Sequence, residues 1–204
     1  ICGFGRTGNM WGSQSYHIKP DILTCAKALS SAYLPISAVM ITDEIYQAFR
    51  TNSEKLGIFG HGYTYTAHPA CAAVALRAQQ LMQERDILGH VRAVAPRFQA
   101  RIQGFADHPL VGHARGVGLI GALEVVADKD SKRSFDPAAK IGALVQQTAQ
   151  DHGLIVRALP GDIVGFCPPL IITEAEVDEM FDRFTRALDE MTRQLKQQGA
   201  TAAQ

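Results

Sequence analysis

Lys27 ends a short β-type run and is followed at once by small residues and a turn, in Asp21-Ile22-Leu23-Thr24-Cys25-Ala26-Lys27-Ala28-Leu29-Ser30-Ser31-Ala32-Tyr33-Leu34-Pro35. A lysine in such a setting is a candidate amine nucleophile. Partial burial among apolar and small neighbours is expected to lower its ammonium pKa, because burial penalises the charged form. A neutral amine attacks aldehydes to form a Schiff base. The local sequence is equally compatible with a solvated lysine at the end of a strand, since lysines are mostly exposed. The neighbouring motifs must separate the two.

The second pattern is Gly3-Phe4-Gly5-Arg6-Thr7-Gly8, which fits the G-x-G-x-x-G spacing of dinucleotide-binding turns. That reading requires an amphipathic helix starting at the motif, with its N-terminus facing the pyrophosphate. The next residues, Asn9-Met10-Trp11-Gly12-Ser13-Gln14-Ser15-Tyr16, are polar and broken by glycine. The glycines are therefore read as a tight loop, and a dinucleotide oxidoreductase stands as the alternative in another enzyme class.

The elements around these residues alternate between strand and helix. β-type runs at 22–25 and 36–41 precede a helix over about 43–50, and Gly57, Gly60 and Gly62 mark a loop that leads to Tyr63-Thr64-Tyr65-Thr66. His68-Pro69 opens an alanine-rich helix to about residue 85, with proline suited to the first turn. A helix over about 86–105 comes next, with Pro96 inside it. Beyond Asp107-His108-Pro109 come β-type runs at 111–117, 119–126, 154–159 and 163–166, and a helix over about 137–151. Thr173 and Glu176 form a capping box before a helix whose Val177, Met180, Phe181, Phe184, Leu188, Met191 and Leu195 recur at helical spacing and predict a core stripe. The pattern predicts an α/β chain of two parts, 1–107 and a smaller α+β domain at 108–204, with residues 199–204 a frayed tail.

Composition narrows the ligand. The 204 residues carry 20 basic and 20 acidic side chains and 47% apolar residues, an ordinary globular balance with no charge excess for nucleic acid or a membrane surface. No apolar run reaches the length of a membrane span, and the start lacks the pattern of a secretion signal. The cytoplasm is the expected compartment. Cys2, Cys25, Cys71 and Cys167 lie far apart and are expected to be buried thiols, and neither they nor the histidines show metal-ligand spacing. The chain opens on Ile1 directly into Cys-Gly-Phe-Gly, which reads as the end of a strand and suggests that the N-terminal part of a longer protein is missing.

Several of these motifs, in this order, resemble the class III (ω-type) aminotransferases, pyridoxal 5'-phosphate enzymes of fold-type I. The resemblance is carried by Gly3 to Gly8, Ile18-Lys19-Pro20-Asp21-Ile22, Ala26-Lys27-Ala28-Leu29-Ser30-Ser31, Tyr33-Leu34-Pro35-Ile36, His61-Gly62-Tyr63-Thr64-Tyr65 and His68-Pro69. It continues through Arg115-Gly116-Val117-Gly118-Leu119, Gly153-Leu154-Ile155-Val156-Arg157 and Pro168-Pro169-Leu170-Ile171-Ile172-Thr173. It implies the end of the large cofactor-binding domain, with its connecting helices, followed by the small C-terminal domain. Lys27 matches the lysine that holds pyridoxal phosphate as an internal aldimine and later shuttles the substrate proton. Thr64 matches the threonine that binds the phosphate of the neighbouring subunit's cofactor in a homodimer. Arg157 matches the arginine that holds a substrate carboxylate and swings aside for amines without one. Two departures stand out: Ala32 where relatives often carry glycine, and Thr66-Ala67 in place of serine-glycine. Both are expected to alter packing more than chemistry. The family's aspartate for the pyridine nitrogen and its phosphate-gripping loop would lie before Ile1, so the isolated fragment is expected to be inactive.

The resemblance implies transfer of an amino group from an amine or ω-amino acid to a keto acid, with pyruvate the expected acceptor and the run at Ser30 to Pro35 closest to amine and putrescine transaminases. A decarboxylase or aminomutase of the same fold is the nearer alternative.

Overall fold

A computed structural model describes residues 1–197 and Gly199; the expected tail, Gly199 apart, lies outside the described residues. The chain forms two compact units, Ile1–Leu88 and Gly89–Gln204. They divide at 88/89, ahead of the 107/108 boundary read from the sequence, because the helix that begins at Ile87 buries Val91, Val94, Phe98 and Ile102 in the second unit's core.

The first unit opens with a turn over the glycine motif, where the Phe4 amide donates to the Met10 carbonyl at 2.6 Å and the Phe4 ring meets Trp11 edge-on at 4.9 Å. The next helix, α1 (Gly12–Ser15), has only four residues and starts beyond the motif. A phosphate-facing helix of the dinucleotide type is not formed there. Strands β1 (Ile22–Cys25) and β2 (Ala38–Ile41) pair antiparallel, with Ile22 opposite Ile41 and Cys25 opposite Ala38.

Helix α2 (Asp43–Leu56) runs six residues past the expected end at about 50. Thr51-Asn52-Ser53 lowers helix propensity, yet Asn52 Nδ2 and Ser53 Oγ donate back to the carbonyls of Ala48 and Phe49, and the helix stops only at Gly57, with φ +76°. Helix α3 (Pro69–Glu84) has proline in its first turn as expected.

The second unit is built around the four-stranded antiparallel sheet β3-β4-β6-β5. Its strands are β3 (Val111–Val117), β4 (Ile120–Val125), β5 (Arg157–Leu159) and β6 (Ile163–Phe166), and its helices are α4 (Ile87–Gly104), α5 (Ile141–Asp151) and α6 (Glu174–Gln197). Helix α4 continues through Pro96. The core is an aromatic cluster in which Phe98 of α4, Phe105, Phe166 of β6, and Phe181 and Phe184 of α6 meet at centroid distances of 4.8–5.9 Å. Each buried ring contributes roughly 1.5–3 kcal/mol by transfer from water. The capping box forms as read, with the Thr173 amide and hydroxyl both donating to Glu176 and the Glu176 amide returning to Thr173 Oγ1. Of the predicted stripe on α6, all but Met180 is buried.

Two second-unit expectations change. The helix read over 137–151 is broken at Lys140, whose φ is +50°, into a 3₁₀ turn at Pro137–Ala139 and α5. The strand read over 154–159 forms only from Arg157, because the amides of Gly153 and Leu154 are taken up by the carbonyls of Gln150 and Ala149 at the end of α5. Arg157 therefore begins a short edge strand.

The units differ sharply in burial. The second holds nearly all of the core, whereas the first buries Phe4, Ala75, Ala78, Thr7 and Ser30 and leaves Ile22, Val39, Met40, Tyr46, Phe49, Tyr63 and Tyr65 exposed. The expected buried thiols are absent: Cys2 and Cys167 are exposed, Cys25 and Cys71 half-buried, and all four are free.

Candidate active site

Lys27 starts a 3₁₀ turn, Lys27–Leu29, directly after β1. Its φ is +53°, and Ser31 and Ala32 come soon after at +51° and +62°, so three residues without glycine's freedom share the left-handed region in one short loop. Such strain persists only where surrounding contacts hold it. Here Ser30, 2% exposed, donates its hydroxyl to the Leu34 carbonyl at 2.6 Å. The Gln79 amide of α3 donates to the carbonyls of Leu29 at 2.9 Å and Ala28 at 3.4 Å.

The Lys27 side chain is exposed, contrary to the burial expected, and it makes no hydrogen bond or ion pair among the described residues. The first unit provides too little core to cover it. Lys27 instead lines a recess of about 310 Å³ with Ser30, Ala32, Leu34, Pro35 and Ile36.

Thr64 lies in an exposed turn in which the Thr66 amide bonds the Tyr63 carbonyl at 2.9 Å. It does not line the Lys27 recess. Just before it, Phe59 and His61 stack at 5.6 Å and His61 meets Tyr63 edge-on at 5.3 Å. Arg157 is in the second unit, exposed, on the edge strand β5 opposite Gly165, and its guanidinium makes no hydrogen bond or ion pair among the described residues. Arg115 is held by Glu124 at 2.9 Å.

Both departures from the family pattern fall on left-handed residues, Ala32 at φ +62° and Ala67 at +57°. Glycine adopts this region without a Cβ clash. The alanines therefore act on the backbone more than on packing. Gln79 was missed in the sequence. Its signal was a polar residue one helical turn after the buried Ala75 and next to the buried Ala78, on a stripe too small-sided to be there for bulk.

An exposed amine at a strained corner, above a recess walled by small and apolar groups, suits a small aldehyde cofactor. A solved structure of the ω-transaminase from Pseudomonas jessenii in complex with PMP superposes with a TM-score of 0.91, at 43% identity, over 96% of this chain and 43% of that one. The fold is the fold-type I architecture of pyridoxal-phosphate transferases. The family profile for class-III aminotransferases matches residues 1–188, and the chain belongs to that family.

Among curated relatives, an uncharacterized aminotransferase, y4uB, of Sinorhizobium fredii is 47% identical over 199 residues, covering 95% of this chain and 43% of its own length. The diaminobutyrate–2-oxoglutarate transaminase of Halomonas elongata is 41% identical over 205 residues, 100% of this chain and 44% of its own length. The chain thus spans less than half the length of these relatives. None of its described helices is long and apolar enough to cross a membrane.

Proposed function

We propose that the protein is a transaminase that moves an amino group from an amine or ω-amino acid to a keto acid, with pyridoxal 5'-phosphate as cofactor. The observation that carries this reading is Lys27: an unpaired amine, set on a left-handed corner above its own recess, in a chain of the class III family. The residues present fit the cofactor. Lys27 would hold its aldehyde carbon, and the Thr64 hydroxyl, exposed on its turn, would accept the role of phosphate ligand for the neighbouring subunit of a homodimer. When bound, the cofactor supplies the electron sink that makes the substrate carbon acidic. Lys27 Nζ would then carry the proton from that carbon to the cofactor carbon it had held, and carry one the opposite way in the second half of the exchange. Arg157 holds the carboxylate of the acid substrate by its planar fork.

The Thr64 assignment draws support from its absence from the Lys27 recess and from the exposed rings beside it, which suit a protein partner. The cytoplasmic assignment draws support from the four free thiols. Pyruvate is the proposed acceptor, on the resemblance to amine transaminases. The test supplies the full-length enzyme with putrescine or 1-phenylethylamine and either pyruvate or 2-oxoglutarate. Alanine formation dependent on added pyridoxal phosphate is the expected result. Glutamate formation alone would move the acceptor to 2-oxoglutarate, and carbon dioxide release without amino transfer would overturn transamination.

Gln79 provides a second check. Its amide holds the carbonyls just after Lys27, while its own Oε1 is buried without a partner among the described residues. Gln79→Leu removes the tie and the orphan acceptor together, so the change in stability is expected to stay within about 1 kcal/mol. Turnover should fall by about tenfold as the Lys27 corner loosens, since small misplacements of a reacting group are costly. Steady-state kcat beside the thermal midpoint separates the two effects, and an unchanged kcat would remove Gln79 from the site.

A further inference from the structure

The glycines within the strands of the second unit's sheet divide into two kinds. A Cβ added at Gly112 would come within 2.6 Å of Val126 Cγ1, at Gly116 within 2.6 Å of the Gln99 amide oxygen and the Ile120 carbonyl, and at Gly121 within 2.8 Å of Ile102 Cδ1. Packing requires glycine at these positions. At Gly165 the nearest atoms would be Leu159 Cδ1 at 3.4 Å and the Arg157 carbonyl oxygen at 3.7 Å, which is ordinary contact. Its φ also lies outside the left-handed region. Neither the backbone nor the packing of this chain asks for glycine at 165.

What does distinguish the position is its neighbour. Gly165 pairs directly with Arg157 across β5 and β6. Residues directly opposite in an antiparallel pair send their side chains to the same face, with Cβ atoms about 5 Å apart. A side chain at 165 would rise on the same face as the Arg157 side chain and occupy space across β6 that glycine leaves open. Leu159, two residues along the same strand and on the same face, forms the adjoining wall.

We propose that Gly165 is a specificity-determining position. It keeps open the space into which Arg157 turns when a substrate brings an apolar group in place of a carboxylate. The proposal rests on the reading of Arg157 as the carboxylate-binding residue.

Gly165→Ala and Gly165→Val in the full-length enzyme test it, with 1-phenylethylamine as a substrate without a carboxylate, pyruvate as the carboxylate substrate, and propionate as a non-reacting carboxylate monitored by calorimetry. The kcat/KM for 1-phenylethylamine is expected to fall in the order Gly, Ala, Val, and at valine by about tenfold more than that for pyruvate, the scale set by added methyl groups in a pocket. Propionate affinity should stay within about twofold and the thermal midpoint should hold, because an added Cβ meets its neighbours only at ordinary van der Waals distance. A parallel fall for both substrates, no fall for either, or a lowered midpoint with uniform loss would overturn the proposal. Arg157→Ala separates the underlying reading: if propionate affinity survives that change, Arg157 is not the carboxylate ligand. If it collapses while the Gly165 variants fail to discriminate, the proposal for Gly165 alone falls.

Discussion

Alanine in place of Lys27 is expected to lower kcat of the full-length enzyme by about 10³-fold or more, since one amine serves as both nucleophile and proton carrier. The fold should tolerate the change. The Lys27 side chain makes no hydrogen bond or ion pair among the described residues, and alanine at φ +53° carries the same left-handed strain as lysine, so the substitution removes the amine and little else. Lys27→Arg should be as inactive, because a guanidinium keeps the charge but stays protonated and cannot attack an aldehyde. Added methylamine should restore part of the proton transfer. Borohydride reduction of the unmodified enzyme, and then peptide mapping, is expected to leave the cofactor on the peptide carrying Lys27. Capture on Lys19 or Lys55 instead, or wild-type turnover in Lys27→Ala, would end the assignment.

Arg157→Ala is expected to raise KM for the keto acid by about 10- to 100-fold, which corresponds to the roughly 1.5–3 kcal/mol of a hydrogen bond to a charged group. The rate with a saturating amine that has no carboxylate should change little. The direction comes from geometry: the Arg157 guanidinium is exposed and makes no ion pair among the described residues, so its removal breaks none there. Arg157→Lys keeps the charge but loses the planar fork, and should recover only part of the affinity. Raising salt should weaken keto-acid binding to the wild type and hardly affect the alanine variant. Equal KM values in wild type and variant would place the carboxylate elsewhere.

The elements that the sequence made legible are those with strong local signals. The capping box at Thr173 and the stripe from Val177 to Leu195 could be read because helical period and cap chemistry agree there, and α6 obeys both. The hairpin at Ile22 and strands β3, β4 and β6 of the second unit also match their β-type runs. Errors arose where distant or terminal hydrogen bonds decide. The end of α2 is extended by side chains bonding back to i−4 carbonyls, and β5 is shortened because the end of α5 captures the Gly153 and Leu154 amides. At the candidate site, Lys27 was found through the order of its neighbouring motifs and not through its local chemistry, and its expected burial is not provided by this chain. Gln79 could not be read as a clamp because its partners lie some fifty residues away, a pairing that no local pattern encodes. The left-handed backbone at Ala32 and Ala67 was equally hidden, since alanine gives no sign of the conformation it has been placed in.

The left-handed corner at Lys27 sets stability and turnover against each other at a single position. Glycine would occupy that φ with about 1 kcal/mol less strain than lysine, and no hydrogen bond or ion pair of the lysine side chain among the described residues offsets the difference. A library selected for heat resistance alone would therefore drift toward glycine at 27 and enrich robust but dead enzymes. Directed evolution of this protein has to score product at every round, because at this residue the sturdier molecule is the wrong one.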